Sequence, residues 1–266
     1  MRLVVSWFRI LPRASQYFRW GHEFVNAPDP TVGFAPGLDA RLAARVFAQS
    51  GRVHIPAMFS NACAARMYSC LASELPWSVH FNSGDAAYDI AAGTFTSMPD
   101  ADRDKLVRAM HASASNGFQY LFKNYAISDE HAAGRRMDLY VMRVYEFLNS
   151  PGFLEFARTV TGVRDIALAD AQATLYEPGH FLTCHTDECP GKGRVAAYVI
   201  NLTPEWQVDW GGILNFVDSD GHVAEGYTPR FNALNIARVP QKHSVSIVAP
   251  FARGGRYSIT GWLRAA

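Results

Sequence analysis

His185-Thr186-Asp187 sets an imidazole and a carboxylate two residues apart. In an extended strand residues i and i+2 point to the same side, so both can approach one ion. Alone the pattern is a weak signal, because a His–Asp hydrogen bond at a strand end accounts for it equally well. His243 begins a second strand-like segment, Lys242-His243-Ser244-Val245. Two histidines and one carboxylate on neighbouring strands make a facial triad, which leaves three positions open on a six-coordinate iron. Cys184 and Cys189 flank the pattern, so a structural zinc with thiolate ligands is the rival reading. Strand alternation turns Cys184 away from His185, and Cys189 lies beyond the strand, where its direction is not fixed.

A third candidate closes the chain. In Arg256-Tyr257-Ser258-Ile259-Thr260-Gly261-Trp262 the two-residue period puts Arg256, Ser258, Thr260 and Trp262 on one face. A guanidinium beside a hydroxyl can hold a carboxylate through charge-assisted, often bidentate, hydrogen bonds. Its place soon after His243 predicts the next strand round a barrel. An Arg–acid pair on an edge strand is the ordinary alternative. Arg253 is a rival anchor, though Gly254 and Gly255 set it in a turn.

Such side chains need rigid neighbours. From about residue 165 onward, short runs of Val, Ile, Tyr and Phe alternate with Gly, Pro, Asn and Asp clusters. Strands are predicted at 172–177, 181–186, 195–202, 213–217, 223–227, 233–236, 244–248 and 256–263. Short strands with no helix between them predict a closed or double-sheet barrel of jelly-roll type. Residues 38–165 read mainly as helices with short strands between. Helical spacing of Leu42, Val46 and Phe47 marks 38–50, Ser60 caps a helix running to Glu74, and Asp100 and Asp102 open another containing Leu106, Val107 and Met110. Ser150-Pro151 is an N-cap with proline at the first helical position, starting 151–161. The fold class is therefore α+β: helical support over 38–164 and a jelly-roll core over 165–264, within one domain of residues 38–266. Residues 1–37 form an irregular N-terminal extension broken by Pro28, Pro30 and Pro36.

Composition narrows the class further. The chain has 266 residues, 49% of them hydrophobic and only 18% charged, ample for a packed core and incompatible with wholesale disorder. A net charge of +1 argues against general nucleic-acid binding, and no apolar run approaches the roughly 20 residues that span a bilayer. Four cysteines are too few for a disulfide scaffold at this length. Arg9 interrupts the only short apolar run near the start, so no secretory signal is read there and a reducing cytoplasm is expected. Arg2, Arg9, Arg13 and Arg19 precede the first acid, Glu23. That pattern is read either as an extension outside the fold or as a transit peptide or membrane-surface arm.

The run Tyr176-Glu177-Pro178-Gly179-His180-Phe181-Leu182-Thr183-Cys184-His185-Thr186-Asp187 resembles the metal-binding segment of prolyl-4-hydroxylase-like Fe(II)/2-oxoglutarate oxygenases. Trp210-Gly211-Gly212-Ile213-Leu214-Asn215-Phe216 resembles their glycine-pair strand. Phe231-Asn232-Ala233-Leu234-Asn235-Ile236, then His243-Ser244-Val245 and the Arg256 segment, complete an ordered set over about 165–264. The likeness is greatest to the branch that hydroxylates a proline of a small-subunit ribosomal protein.

The resemblance implies a double-stranded β-helix (jelly-roll) fold and a dioxygenase that hydroxylates a C–H bond, most naturally of a prolyl residue in a peptide or protein. It implies Fe(II) on His185, Asp187 and His243, and the distal carboxylate of 2-oxoglutarate on Arg256. Ascorbate would serve as an accessory reductant. Tyr176 stands where the family has a tyrosine that donates to the cosubstrate, though a barrel-wall aromatic fits equally. Tyr198 is a weaker candidate for that role, against core packing. Ser258 supports Arg256 or is a plain strand serine. Gly211 and Gly212 serve a tight turn and close backbone packing. Glu188 beside the metal motif reads as an exposed acid, or as a contact to a cationic substrate. A hydroxylase of a small molecule such as a free amino acid, and a non-catalytic jelly-roll binding module, remain as alternatives. A nucleic-acid demethylase would carry a second arginine where this chain has Gly261-Trp262.

Overall fold

A capping side chain closes the N-terminus of three of the helices. In the structure, a computed structural model that describes residues 28–84 and 86–266, α1 (Ala40–Ser50) starts where Asp39 accepts from the Arg41 and Leu42 amides. Helix α2 (Asn61–Ser73) starts on Ser60, and α7 (Pro151–Thr161) on Ser150 with proline in its first turn, as the sequence predicts. Between them lie α3 (Ala92–Ser97), α4 (Asp100–Ala114), α5 (Ile127–Ala132) and α6 (Tyr140–Leu148). Leu42 and Val46 are exposed, and the helix packs through Ala43 and Phe47.

All eight predicted C-terminal strands are present: β6 (Gln172–Tyr176), β7 (Phe181–His185), β8 (Arg194–Asn201), β9 (Leu214–Val217), β10 (Val223–Tyr227), β11 (Ala233–Arg238), β12 (His243–Val245) and β13 (Arg256–Ala265). Five more join them: β1 (Arg52–Ile55), β2 (Ser78–Ser83), β3 (Ala86–Ala91), β4 (Tyr120–Tyr125) and β5 (Ile166–Ala169). Every pairing is antiparallel, in the order β1-β11-β8-β13-β6-β4-β7-β12-β9-β10, with β5 on β13 and β2 on β4 and β3. Strand β4, from the helical half, thus sits inside the barrel wall between β6 and β7.

Strand alternation divides the core. The outer side of β8 and β13, with Ala196, Tyr198, Ile200, Ile259 and Leu263, packs against the helices. The inner side carries a second cluster of Tyr120, Phe122, Tyr176, Leu214, Phe216 and Val245, while α4 covers Val79, Leu121 and Phe181 through Met110. The wall is therefore clamped from outside and lined from inside, which holds inner-face side chains in fixed positions.

Of the expected N-terminal extension and its arginines, residues 1–27 lie outside the described residues. The part that follows is docked: Asp29 pairs with Arg66 at 2.6 Å and with Arg143 at 3.1 Å, and the Tyr140 hydroxyl donates to the Pro30 carbonyl. Among the described residues no helix is long and apolar enough to cross a membrane.

Candidate active site

His185 closes β7, His243 opens β12, and the two are direct cross-strand partners with ring centres 4.3 Å apart. Asp187, just beyond β7, completes the cluster. Its carboxylate oxygens lie 3.5 Å from His185 Nε2 and 3.2 Å from His243 Nε2. Each residue offers one ligand atom within 4.8 Å of the others, so the structure brings the predicted triad together.

The far ring nitrogens fix how the rings present themselves. His185 Nδ1 lies 3.0 Å from the Thr183 carbonyl, and His243 Nδ1 lies 2.8 Å from the Gln241 carbonyl. A carbonyl only accepts, so each Nδ1 carries a proton and each Nε2 turns on the carboxylate. A nitrogen lone pair facing a carboxylate needs a cation between them, either a proton or one shared metal ion. Burial alone would raise the Asp187 carboxyl, but hydrogen bonds and charge from His185 and His243 outweigh it and hold the carboxyl well below the usual range. Burial would lower His243, and Asp187 reverses that shift. The donor set fits a divalent first-row metal bound through two nitrogens and a carboxylate. The thiolate rival finds no ligands, since no cysteine belongs to a metal-holding group among the described residues. Cys184 is exposed on the other side of β7, in a groove with His111 and Ile247.

The triad opens into a cavity of about 370 Å³. Part of its lining is aromatic, from Phe118, Tyr120, Phe122, Tyr176 and Phe216, and part is polar, from Gln172, Thr174, Asn235, Ser258 and Thr260. Arg256 also lines it and is only 2% exposed. Its guanidinium meets no carboxylate among the described residues, and its Nε is buried without a hydrogen-bond partner. Its Cζ lies 5.1 Å from the centre of the Tyr176 ring. Burial pushes the guanidinium below its ordinary value, with only Tyr176 opposing. An isolated buried cation is costly, so this arrangement is complementary to an anion. Gly212 leaves it room: at φ 62°, a Cβ there would come within 3.2 Å of Arg256 Cδ and 3.1 Å of the Trp206 ring.

One positional expectation is corrected. Arg256 does not stand on the strand next to His243, because β6, β4 and β7 lie between β13 and β12. It reaches the cavity because the wall curves round, and strands that follow one another in sequence are not neighbours in this topology.

Tyr176 is the register partner of Arg256 and is buried, with its ring stacked on Phe122 at 5.1 Å. Burial raises its hydroxyl. Ser258, fully buried, bonds Thr174 Oγ1 at 2.8 Å. Tyr198 faces the other way, packing among the helices and donating to the Asp170 carbonyl at 2.6 Å. Gly211 approaches the backbone so closely that a Cβ would lie 2.1 Å from the Ile247 carbonyl oxygen. Glu188 is exposed at the cavity rim.

Sequence reasoning missed Arg194, whose Nη1 donates to the Asp187 carbonyl at 3.3 Å and whose Cζ sits 3.5 Å from the centre of the Trp262 ring. It also missed the wall supplied by β4 and the residues before it, although Phe118, Tyr120 and Phe122 alternate at a strand period.

The model of the 2OG-Fe(II) oxygenase superfamily matches residues 171–264. The mouse protein named prolyl 3-hydroxylase OGFOD1 is 32% identical over 117 residues, which are 41% of this chain and 21% of that protein. Prolyl 3,4-dihydroxylase OGFOD1 from Ostreococcus tauri is 30% identical over 134 residues, 46% of this chain and 26% of that protein. The chain thus matches about a fifth to a quarter of the length of these relatives. Among solved structures, a Trichoplax adhaerens prolyl hydroxylase in complex with a hypoxia inducible factor peptide fragment superposes with a TM-score of 0.55 at 15% identity, covering 85% of this chain and 90% of that one. A Burkholderia pseudomallei oxidoreductase of the 2OG-Fe(II) oxygenase family gives 0.53 at 14% identity, covering 87% and 93%. At these identities the likeness establishes the fold, an antiparallel jelly-roll barrel with helices packed on it.

Proposed function

We propose that this chain, whose residues 171–264 match the 2OG-Fe(II) oxygenase superfamily model, is an Fe(II)- and 2-oxoglutarate-dependent dioxygenase hydroxylating a prolyl residue in a peptide or protein. The observation that carries the reading is a lone buried guanidinium, Arg256, lining the same cavity as the His185–Asp187–His243 cluster. One group asks for a cation and the other for an anion.

When bound, Fe(II) and 2-oxoglutarate supply the activation of dioxygen and the transfer of one oxygen atom to carbon. The protein's part follows from its own residues. His185 and His243 offer Nε2 and Asp187 a carboxylate oxygen, while the Thr183 and Gln241 carbonyls keep the imidazoles in that tautomer. Arg256, buried in the cavity wall, would hold the far carboxylate of the cosubstrate, where low local dielectric makes a charge-assisted pair strong. Tyr176, in the cavity wall, would offer its phenol to the cosubstrate, and Ser258, bonded to Thr174, would support Arg256 from the same face of β13. The Phe118, Tyr120 and Phe122 wall keeps water from the reacting carbon. Proline as the target draws on the names of the relatives and is part of the proposal. So is a cytoplasmic setting, which suits a ferrous ion and four free thiols.

Anaerobic addition of Fe(II) and 2-oxoglutarate should give a metal-to-ligand charge-transfer band that disappears in His185→Ala. Incubation in air with proline-containing peptides should yield succinate and a peptide heavier by one oxygen atom, whereas free proline should not be modified. A folded protein that gives no band and no succinate with any peptide overturns the assignment.

A further inference from the structure

His54 and Asn235 are register partners on β1 and β11, and His54 Nδ1 lies 2.6 Å from Asn235 Oδ1. An amide oxygen only accepts, so the ring nitrogen donates and the amide NH2 group is left over. No group among the described residues accepts from that nitrogen. Asn235 is 2% exposed and lines the cavity, and its Nδ2, unlike that of Asn201, is not sealed within the wall. A donor held in a buried wall is costly unless a ligand or water meets it.

Strand alternation fixes which way both residues face. Val53 and Ile55 pack in the outer core beside the helices, as do Leu234 and Ile236, which turns His54 and Asn235 inwards. One cross-strand row therefore runs through Gln172, Thr260, Val199, Asn235 and His54, over β6, β13, β8, β11 and β1. Thr260 stands four residues from Arg256 on β13, about 13 Å along the strand, so the row lies well away from the guanidinium. The next inward residue on β13 is Trp262, which stacks with Arg194, the donor to the Asp187 carbonyl. Asn235 thus belongs to the metal end of the cavity.

We propose that Asn235 donates through Nδ2 to a main-chain carbonyl of the substrate peptide, and that His54 is the positioning residue that holds the amide in this orientation. The inference deepens the prolyl hydroxylase reading and rests on it. On that reading the metal and Arg256 meet the two charged ends of 2-oxoglutarate, and only two methylene groups lie between them. Methylenes offer Asn235 no acceptor, whereas a prolyl residue in a peptide brings a carbonyl on either side of its ring. A hydrogen bond to one of them fixes how the ring is presented, the kind of positioning on which turnover depends. Without His54 the amide is free to turn over and present Oδ1, which repels a carbonyl oxygen instead of binding it.

Calorimetric titration with Mn(II) in place of iron measures both ligands without turnover. The probes are 2-oxoglutarate and then, on the loaded protein, the proline-containing peptide that yields most succinate with the iron-loaded parent. Asn235→Leu keeps the side-chain volume, and thermal melting should show it folded. It should bind the peptide about 3-fold to 10-fold more weakly, the range for one neutral hydrogen bond, and 2-oxoglutarate as tightly as the parent. Asn235→Ala should repeat the pattern. His54→Leu should show the same loss, whereas His54→Gln, which can still donate to Asn235 Oδ1, should restore peptide binding towards the parent. The proposal is overturned if both Asn235 variants bind the peptide as tightly as the parent, or if 2-oxoglutarate weakens alongside the peptide. Equal peptide binding by His54→Leu and His54→Gln overturns the role of His54. If no peptide gives succinate with the parent, the prolyl hydroxylase reading itself fails. An active parent with unaffected Asn235 variants ends only the role of Asn235.

Discussion

Replacing Arg256 by Met should strengthen the ligand-free protein and abolish its response to cosubstrate. The guanidinium is 2% exposed, has no acidic partner among the described residues and keeps an unpaired Nε. Exchanging even a paired buried charge for apolar side chains can stabilise by about 1–4 kcal/mol, and a guanidinium without an acidic partner has less Coulombic gain to lose. At roughly 2–4 °C per kcal/mol for a domain near this size, the melting temperature of the metal-loaded variant should rise by about 5 °C. The parent should gain from 2-oxoglutarate what the variant cannot. At a hundred times the dissociation constant, binding adds about 2.7 kcal/mol, again several degrees. The order of melting temperatures should thus reverse between the two conditions. Differential scanning calorimetry with Mn(II) in place of iron, with and without 2-oxoglutarate, measures all four values without turnover. If Arg256→Met melts below the parent without cosubstrate, the guanidinium has a compensating partner and the case for an anion site collapses.

Three further outcomes follow from the same structure. Ser258→Ala leaves the buried Thr174 hydroxyl without its 2.8 Å partner and should cost about 1–2 kcal/mol in urea unfolding; no change would mean that water fills the gap. Gly211→Ala forces a Cβ to within 2.1 Å of the Ile247 carbonyl at a φ of 67°, and should lower stability by more than about 2 kcal/mol or prevent folding. His180 accepts the Glu177 amide at 3.0 Å through Nδ1, and burial, against the pull of Glu177, lowers it to about 4. The unfolded chain therefore binds this proton first as pH falls. Its contribution, at most about 3 kcal/mol, is intact above pH 6.5 and lost as pH drops towards 4. His180→Gln should flatten that limb of the stability profile, and an unchanged slope would contradict it.

What could be read in advance had local causes. Helices α2 and α7 announce themselves because Ser60 and Ser150 cap them, and α1 through the helical spacing of Leu42, Val46 and Phe47, its Asp39 cap emerging only in the structure. Helices α5 and α6 have no side-chain cap and were not anticipated. The C-terminal strands carry alternation punctuated by turn residues, and His185 with Asp187 holds its meaning through the strand period alone. Strand β4 reads Tyr-Leu-Phe-Lys-Asn-Tyr, buried on both faces along most of its length. Such a run has no single apolar period to separate it from a buried helix.

Sequence alone picked out the candidate groups: two imidazoles, a carboxylate, and an arginine on the last strand. It could do so because strand periodicity is a property of the chain itself. Tertiary structure decided which of those groups are short of partners. Among the described residues Arg256 has no acid beside it and Asn201 has nothing on either amide atom, while Tyr198 bonds the Asp170 carbonyl. Those facts depend on the order in which distant strands lie side by side, with β4 inserted between β6 and β7 and three strands separating Arg256 from His243. Burial and partnership are properties of neighbours, and only the fold assigns neighbours.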